Sequence, residues 1–242
     1  MTGVQTCALP IYKIVQECIP WLRRVEEIVT IYDKGMNAEV LYSLLMADLQ
    51  DIGTFKETDT RKIYVPENPD LVYLVVIDHI SLLRPNKGRS LKEEIDLVSS
   101  YLVTLRNMCR ISPLVIMQAN RDSAGMERRK QGLNNMRLSD TKDSGGPVQD
   151  AEVVISIFSP HRERLATYNK YNIGILQDKF RAITVLKNRY GEADVEVGVN
   201  FFGRCGIWKE LPKPDEIYDY ERYTSPNYML EDSDIAIDNS HS

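Results

Sequence analysis

Seven uncharged, mostly aliphatic residues, 71 to 77, stop at Asp78 within the segment LVYLVVIDHISLL. A run of this length bounded by polar chain predicts a buried strand of a parallel sheet. Upstream, Val40, Leu41, Leu44, Leu45, Leu49 and Ile52 recur with helical spacing, and Asp48 is the one polar member of their face. Asn37 is placed to cap this helix at its start and Gly53 to end it. Residues 28–32 read as a short strand turned by Gly35. Residues 54–70 are polar and hold two prolines, with room for an edge strand over 62–65. Residues 84–90 form a loop by their Pro, Asn and Gly content. A helix over 91–109 follows, with Ile95, Val98, Leu102, Leu105 and Met108 on one face and Ser112 and Pro113 beyond its end. Residues 114–117 predict another short buried strand, which ends in the polar Gln118 and Asn120. Residues 121–146 are polar and aperiodic, and a loop that long inside a compact domain is usually functional or disordered. Strands are expected over 153–158, 180–186 and 195–202, the last two flanking a turn at Gly191. The expected fold is α/β: a mostly parallel sheet flanked by helices, finished by an antiparallel C-terminal strand pair.

Composition changes this picture little. At 43% hydrophobic and 27% charged residues, the 242-residue chain is ordinary globular material. Its cysteines, Cys7, Cys18, Cys109 and Cys205, form no CxxC and no metal-like grouping, which suits a reducing cytoplasm. His79, His161 and His241 are far apart and pair with no cysteine at zinc spacing. The net charge of −5 is unevenly spread. Eight acids against Lys213 and Arg222 give residues 211–242 a charge of −6, leaving +1 for the rest, so a solvated, flexible acidic tail is expected there. Pro10, Lys13, Glu17 and Pro20 interrupt the first apolar stretch, and neither a signal peptide nor a membrane span is expected. Residues 2–11, TGVQTCALPI, look like the translation of a sequencing-adapter oligonucleotide. Native sequence would then begin near Tyr12, giving a non-native leader over 1–11, a partial domain over 12–210 and the tail.

Chemistry-bearing residues fall at strand ends. Open α/β sheets bind ligands at the C-terminal edge of their strands. Asp78 is therefore a candidate for holding Mg²⁺ in a nucleotide site, although an acid can also stand there simply to cap a strand. Gln118 could hydrogen-bond a γ-phosphate or an attacking water, or be a satisfied polar residue at a strand end. Lys187 and Arg189, in LKNRYG, are cations of the kind that meet charge developing on a γ-phosphate, or else hairpin-end cations in water. Arg121, Arg128, Arg129, Lys130, Arg137 and Lys142 crowd the long polar stretch, and Ser144, Gly145 and Gly146 would let main-chain N–H groups approach phosphate. That combination suits single-stranded DNA contacted without sequence preference, though few aromatics are present for stacking, and composition alone fits a solvated basic loop. The phosphate-cradling loop GxxxxGK[ST] does not occur.

Four segments in this order resemble the C-terminal RecA-like ATPase domain of DnaB-type replicative DNA helicases. LVVIDHISLL is similar to the family's Walker B strand, and LVIMQANR (114–121) to its nucleotide-sensing strand with a glutamine. SDTKDSGGPVQDAE (139–152) is similar to its DNA-contacting loop, and ITVLKNRYG (183–191) to the segment donating a lysine and an arginine finger to a neighbouring subunit. His79 stands where an aromatic Tyr is common, and Lys142 and Asp143 replace an Arg-Glu pair. The resemblance covers roughly residues 28–208. It implies a 5′-truncated fragment of an ATP-dependent helicase that translocates on single-stranded DNA and unwinds duplex. ATP and Mg²⁺ would be the cofactors, with Asp78, Gln118, Lys187 and Arg189 at the nucleotide. Arg121, Lys142, Asp143, Ser144 and Gly145 would lie at the DNA. It further implies a homo-hexameric ring, a helicase loader or primase as candidate partners, and a bacterial or phage-infected cytoplasm. The phosphate loop and catalytic glutamate would lie upstream of Tyr12, so the chain as written is expected to be inactive alone. Another RecA-like ring ATPase related to recombinases, or a non-enzymatic DNA-binding or partner-docking module, are the competing readings.

Overall fold

The computed structural model describes residues 8–59, 62–118, 137–138, 145–204, 206–225 and 228. Residues 1–36 and 37–242 form separate units. The first holds one helix, α1 (Ala8–Ile28), with Pro20 inside it and Trp21 exposed. The strand expected over 28–32 is not formed, and Val29 instead donates to the Val25 carbonyl as a last helical turn. A short apolar run is ambiguous between a strand and a helix end, and this one had no strand to pair with.

The second unit begins with α2 (Ala38–Asp51), whose cap is the expected one: the Asn37 side chain accepts from the Val40 N–H at 2.9 Å. A hairpin follows, β1 (Gly53–Glu57) antiparallel to β2 (Lys62–Pro66). Gly53 opens β1 because any Cβ there would lie 2.4 Å from the Tyr64 hydroxyl. Next come β3 (Leu74–Ile77), α3 (Leu91–Cys109) and β4 (Ser112–Val115). Ser90 and Glu93 form a reciprocal capping box at the start of α3. Glu94, fully buried, accepts from the Ala38 N–H and from Arg89 at 2.9 Å, tying the starts of α2 and α3 together. Leu45, Leu49, Val75, Val98, Leu102 and Leu105 pack the core between these elements.

After α4 (Gly145–Asp150) the chain forms β5 (Val153–Phe158), the two-residue strands β6 (Thr167–Tyr168) and β7 (Tyr171–Asn172), and α5 (Ile173–Leu176). It ends in β8 (Phe180–Asn188), β9 (Val195–Phe202) and β10 (Ile207–Glu210). The expected pair over 180–202 is present, β8 against β9. The expectation of a mostly parallel sheet needs correcting. The largest sheet runs β10-β9-β8-β5 and is antiparallel throughout, whereas only β3 and β4 pair in parallel. Parallel pairing requires a long crossover, and within this unit α3 supplies one between β3 and β4. The apolar run at 71–77 also proves one-sided. Only Val75 is buried, against α3, while Leu74 and Val76 are more than half exposed. Finally, the segment expected to be solvated from 211 onward contributes Leu211, Ile217 and Tyr228 to a second core around Phe180. Charge counting missed these apolar residues spaced among the acids.

Candidate functional site

The register of β3 on β4, Leu74 with Ser112 through Ile77 with Val115, brings the C-terminal ends of both strands to one edge. Backbone bonds continue the pairing past the strands, Ile116 N–H to the Ile77 carbonyl and Ile80 N–H to the Ile116 carbonyl. Asp78 follows β3 directly and Gln118 lies three residues after β4, both exposed on that shared edge. The Asp78–His79 peptide is cis, and the His79 Nδ1 is buried without a hydrogen-bond partner. No cluster of three metal-ligating side chains occurs among the described residues. Magnesium in phosphoryl-transfer sites keeps waters and phosphate oxygens and takes only one or two carboxylates, so a lone exposed Asp78 fits it.

Lys187 and Arg189 lie elsewhere, at the end of β8, where they close the C-terminus of α4. A helix leaves its last carbonyls without partners. Here Lys187 Nζ donates to the carbonyls of Val148 (3.0 Å) and Gln149 (2.8 Å), and Arg189 donates to that of Gln149 at 3.4 Å. Arg106, from α3, donates to the Asp150 carbonyl at 3.3 Å, and Ser99 to the Asp150 carboxylate at 2.7 Å. Cations at a helix C-terminus also meet the negative end of its dipole. Glu152 then joins two of these cations: one carboxylate oxygen lies 2.9 Å from Arg189 and 3.0 Å from Arg106. The Arg189 N–H also donates to the Glu152 carbonyl at 3.0 Å. Glu152 and Arg106 carried no motif signal. Antiparallel pairing of the strand after 152 with the strand before 189 would have revealed Glu152, but that pairing is not encoded in either run alone.

Of the residues expected at DNA, Arg121, Lys142, Asp143 and Ser144 lie outside the described residues, and Gly145 is the first residue of α4. Gly146 brings that helix close to α3, since a Cβ there would stand 2.4 Å from Asp96 Oδ1.

Between β4 and β5 lies an apolar cavity of about 790 Å³, lined by Pro113, Val115, Val154 and Ser156 from the strands and Leu102 from α3. Neither strand has a partner on this side among the described residues, since β4 pairs only with β3 and β5 only with β8. The Ser156 hydroxyl lining it is buried and unpartnered. The clearly displaced titrations lie away from both Asp78 and Arg189. Burial pushes the Cys109 thiol up to about 11 against a smaller pull from Lys62, and burial with the Glu196 hydrogen bond raises Tyr168.

The profile of DnaB-like helicase C-terminal domains matches residues 34–209. Curated proteins show no significant match. Among solved structures, an isolated ATPase domain is similar at 19% identity and a TM-score of 0.55, over 76% of this chain and 55% of that one. A DnaB-like replicative helicase, described with its interactions with primase, is similar at 18% identity and a TM-score of 0.55, over 76% of this chain and 38% of that one. The chain thus spans about half, or less, of the length of these two structures.

Proposed function

The chain belongs to the family of DnaB-like helicase C-terminal domains, and from that premise we propose that it is part of the motor of an ATP-dependent replicative helicase. The observation that carries this reading is the shared edge of β3 and β4, which sets an exposed carboxylate and an exposed amide at the mouth of a parallel strand pair. Nucleotide bound there with Mg²⁺ supplies the phosphoanhydride whose hydrolysis drives translocation. Asp78 would hold the ion through water, and Gln118 would hydrogen-bond at the γ-phosphate position and relay its loss to the residues following it. Lys187 and Arg189 would act on the site of an adjacent subunit in a homo-hexameric ring, where a cation stabilises charge that develops in the transition state. Residues 139–145 together with Arg121 would contact single-stranded DNA, through cations and through amides made accessible by Ser144 and Gly145. Primase or a loader are further partners consistent with this family.

The cavity between β4 and β5 supports the view that this motor is incomplete as written. One extended apolar strand entering there would satisfy both free edges and join β3-β4 to the four-stranded sheet. If it ran parallel to β4, its C-terminal end would reach the edge that carries Asp78 and Gln118. A phosphate-binding loop following such a strand would supply the cradle that the sequence lacks.

The test compares the chain as written with the protein restored to its upstream coding sequence. The chain alone should show negligible ATP hydrolysis. The restored protein should hydrolyse ATP with stimulation by single-stranded DNA, and Asp78→Ala should abolish that activity. Robust turnover by the chain alone, lost on Asp78→Ala, would overturn the assignment of the missing cradle.

A further inference from the structure

Resting on the reading of Arg189 as a cation that acts across a subunit interface, we propose that Glu152 is a positioning residue coupling that cation to the DNA-contacting segment. Arg189 is not free in this subunit. It is paired to Glu152 at 2.9 Å, and with Lys187 it satisfies the last carbonyls of α4. The same α4 begins at Gly145, directly after the residues proposed to touch DNA. One short helix therefore has the DNA segment at its start, and its end is closed by the two cations meant for a neighbour's phosphate.

The two jobs compete. An arginine donating to a phosphate across the interface cannot keep the same N–H groups on Glu152 and Gln149. Its departure leaves the end of α4 less well closed, and Glu152 turns wholly to Arg106, which already shares its oxygen at 3.0 Å. The Arg189 side chain is half exposed, so the internal pair is weak enough to break without unfolding anything. Two arrangements of one small contact set thus alternate, and each is biased by a different ligand. By linkage, a nucleotide that draws Arg189 away must alter DNA affinity, and DNA must alter nucleotide affinity by the same factor. Glu152 is where the two exchange.

The experiment uses the restored full-length protein and the probe pair oligo-dT and a non-hydrolysable ATP analogue. Fluorescence anisotropy gives the Kd for oligo-dT with and without the analogue, and their ratio measures the coupling. Glu152→Gln should bring that ratio about two- to five-fold closer to one, the range a half-exposed pair can hold. ATPase kinetics should change in a matching way: basal kcat rises toward the DNA-stimulated value while KM stays put, because the released cation is no longer withheld. Should Glu152→Gln not fold, Glu152→Asp reads the same ratio with a smaller change, as its carboxylate is drawn back by one methylene. An unchanged coupling ratio overturns the proposal, as does a proportional fall of basal and stimulated rates with a lower Tm, the mark of a merely structural residue. Arg189→Ala, measured alongside, separates the two levels. If it leaves turnover intact, the trans role itself fails. If it abolishes turnover while Glu152→Gln leaves the ratio alone, only the coupling role fails.

Discussion

Replacing Arg189 by alanine in the restored protein is the perturbation from which most follows. Its cost to the folded subunit is small. The pair with Glu152 is half exposed on the arginine side, and such pairs contribute about 0–1 kcal/mol. The bond to the Gln149 carbonyl is long at 3.4 Å, and Lys187 still covers that oxygen. Unfolding should therefore shift by no more than about 1 kcal/mol. The catalytic loss should be far larger. A cation supplied to a transferring phosphoryl group is worth about 10³–10⁵ in turnover, or about 4–7 kcal/mol at 1.36 kcal/mol per decade. The gain on reaching the phosphate exceeds the cost of leaving Glu152 several-fold, so no further driving force is needed. Nucleotide affinity should stay nearly unchanged, because the cradle belongs to the other subunit. Mixing makes the assay decisive. An Asp78→Ala subunit has a dead site but an intact Arg189, and the Arg189→Ala subunit has the opposite defect. Random rings from equal parts pair the two intact halves at about one interface in four, one half times one half, since each head-to-tail interface is formed by two different faces. ATPase activity of mixed rings, with mixing verified by native mass spectrometry, should exceed that of either mutant alone. Verified mixed rings as inactive as the separate mutants would refute action across the interface.

Other outcomes follow from the fold itself. Arg89→Leu leaves the fully buried Glu94 carboxylate with only the Ala38 N–H, and should cost about 2–4 kcal/mol in urea unfolding, whereas Glu94→Gln should cost less. Equal losses would mean that charge pairing does not matter there. Gly53→Ala drives a methyl into the Tyr64 ring and hydroxyl, and about 1–3 kcal/mol of stability should be lost. The Cys109 thiol, buried and raised to about 11 from 9.0, should resist alkylation at pH 8 in the native state. The folded state holds that proton more tightly than the unfolded chain. Its contribution to stability is therefore full below about pH 9 and lost as pH rises to about 11, a component that Cys109→Ala should remove from the alkaline unfolding profile.

What could be read in advance depended on how local its cause was. The helices α2 and α3 and the pair β8-β9 carry long periodic patterns with caps or turns between them, so their existence was legible. The hairpin strand β1, GTFKE, was not, because its stability comes from Tyr64 and the partner strand rather than from its own residues. The sheet's direction was misread for a similar reason. The run Val153–Phe158 announces a strand but does not name its neighbour, and β8 took it antiparallel. At the site, Asp78 and Gln118 were visible because each ends an apolar run, and the β3-β4 register then brought those ends together. Glu152 belongs to no motif, and its place against Arg189 exists only once β5 and β8 are paired.

The gap between β4 and β5 also governs how this chain would behave in a test tube. Each copy presents two rows of main-chain donors and acceptors beside bare aliphatic side chains such as Leu114 and Ile155. If a strand of a second copy enters the gap, that copy's own gap is still open to a third. Such contacts do not close into a dimer but propagate, as head-to-tail association does whenever the operation fails to return on itself. Loss of soluble material should then steepen with concentration instead of levelling at a defined oligomer. A single charged substitution at Ile155, on the exposed side of β5, should restrain it without touching Asp78 or Arg189.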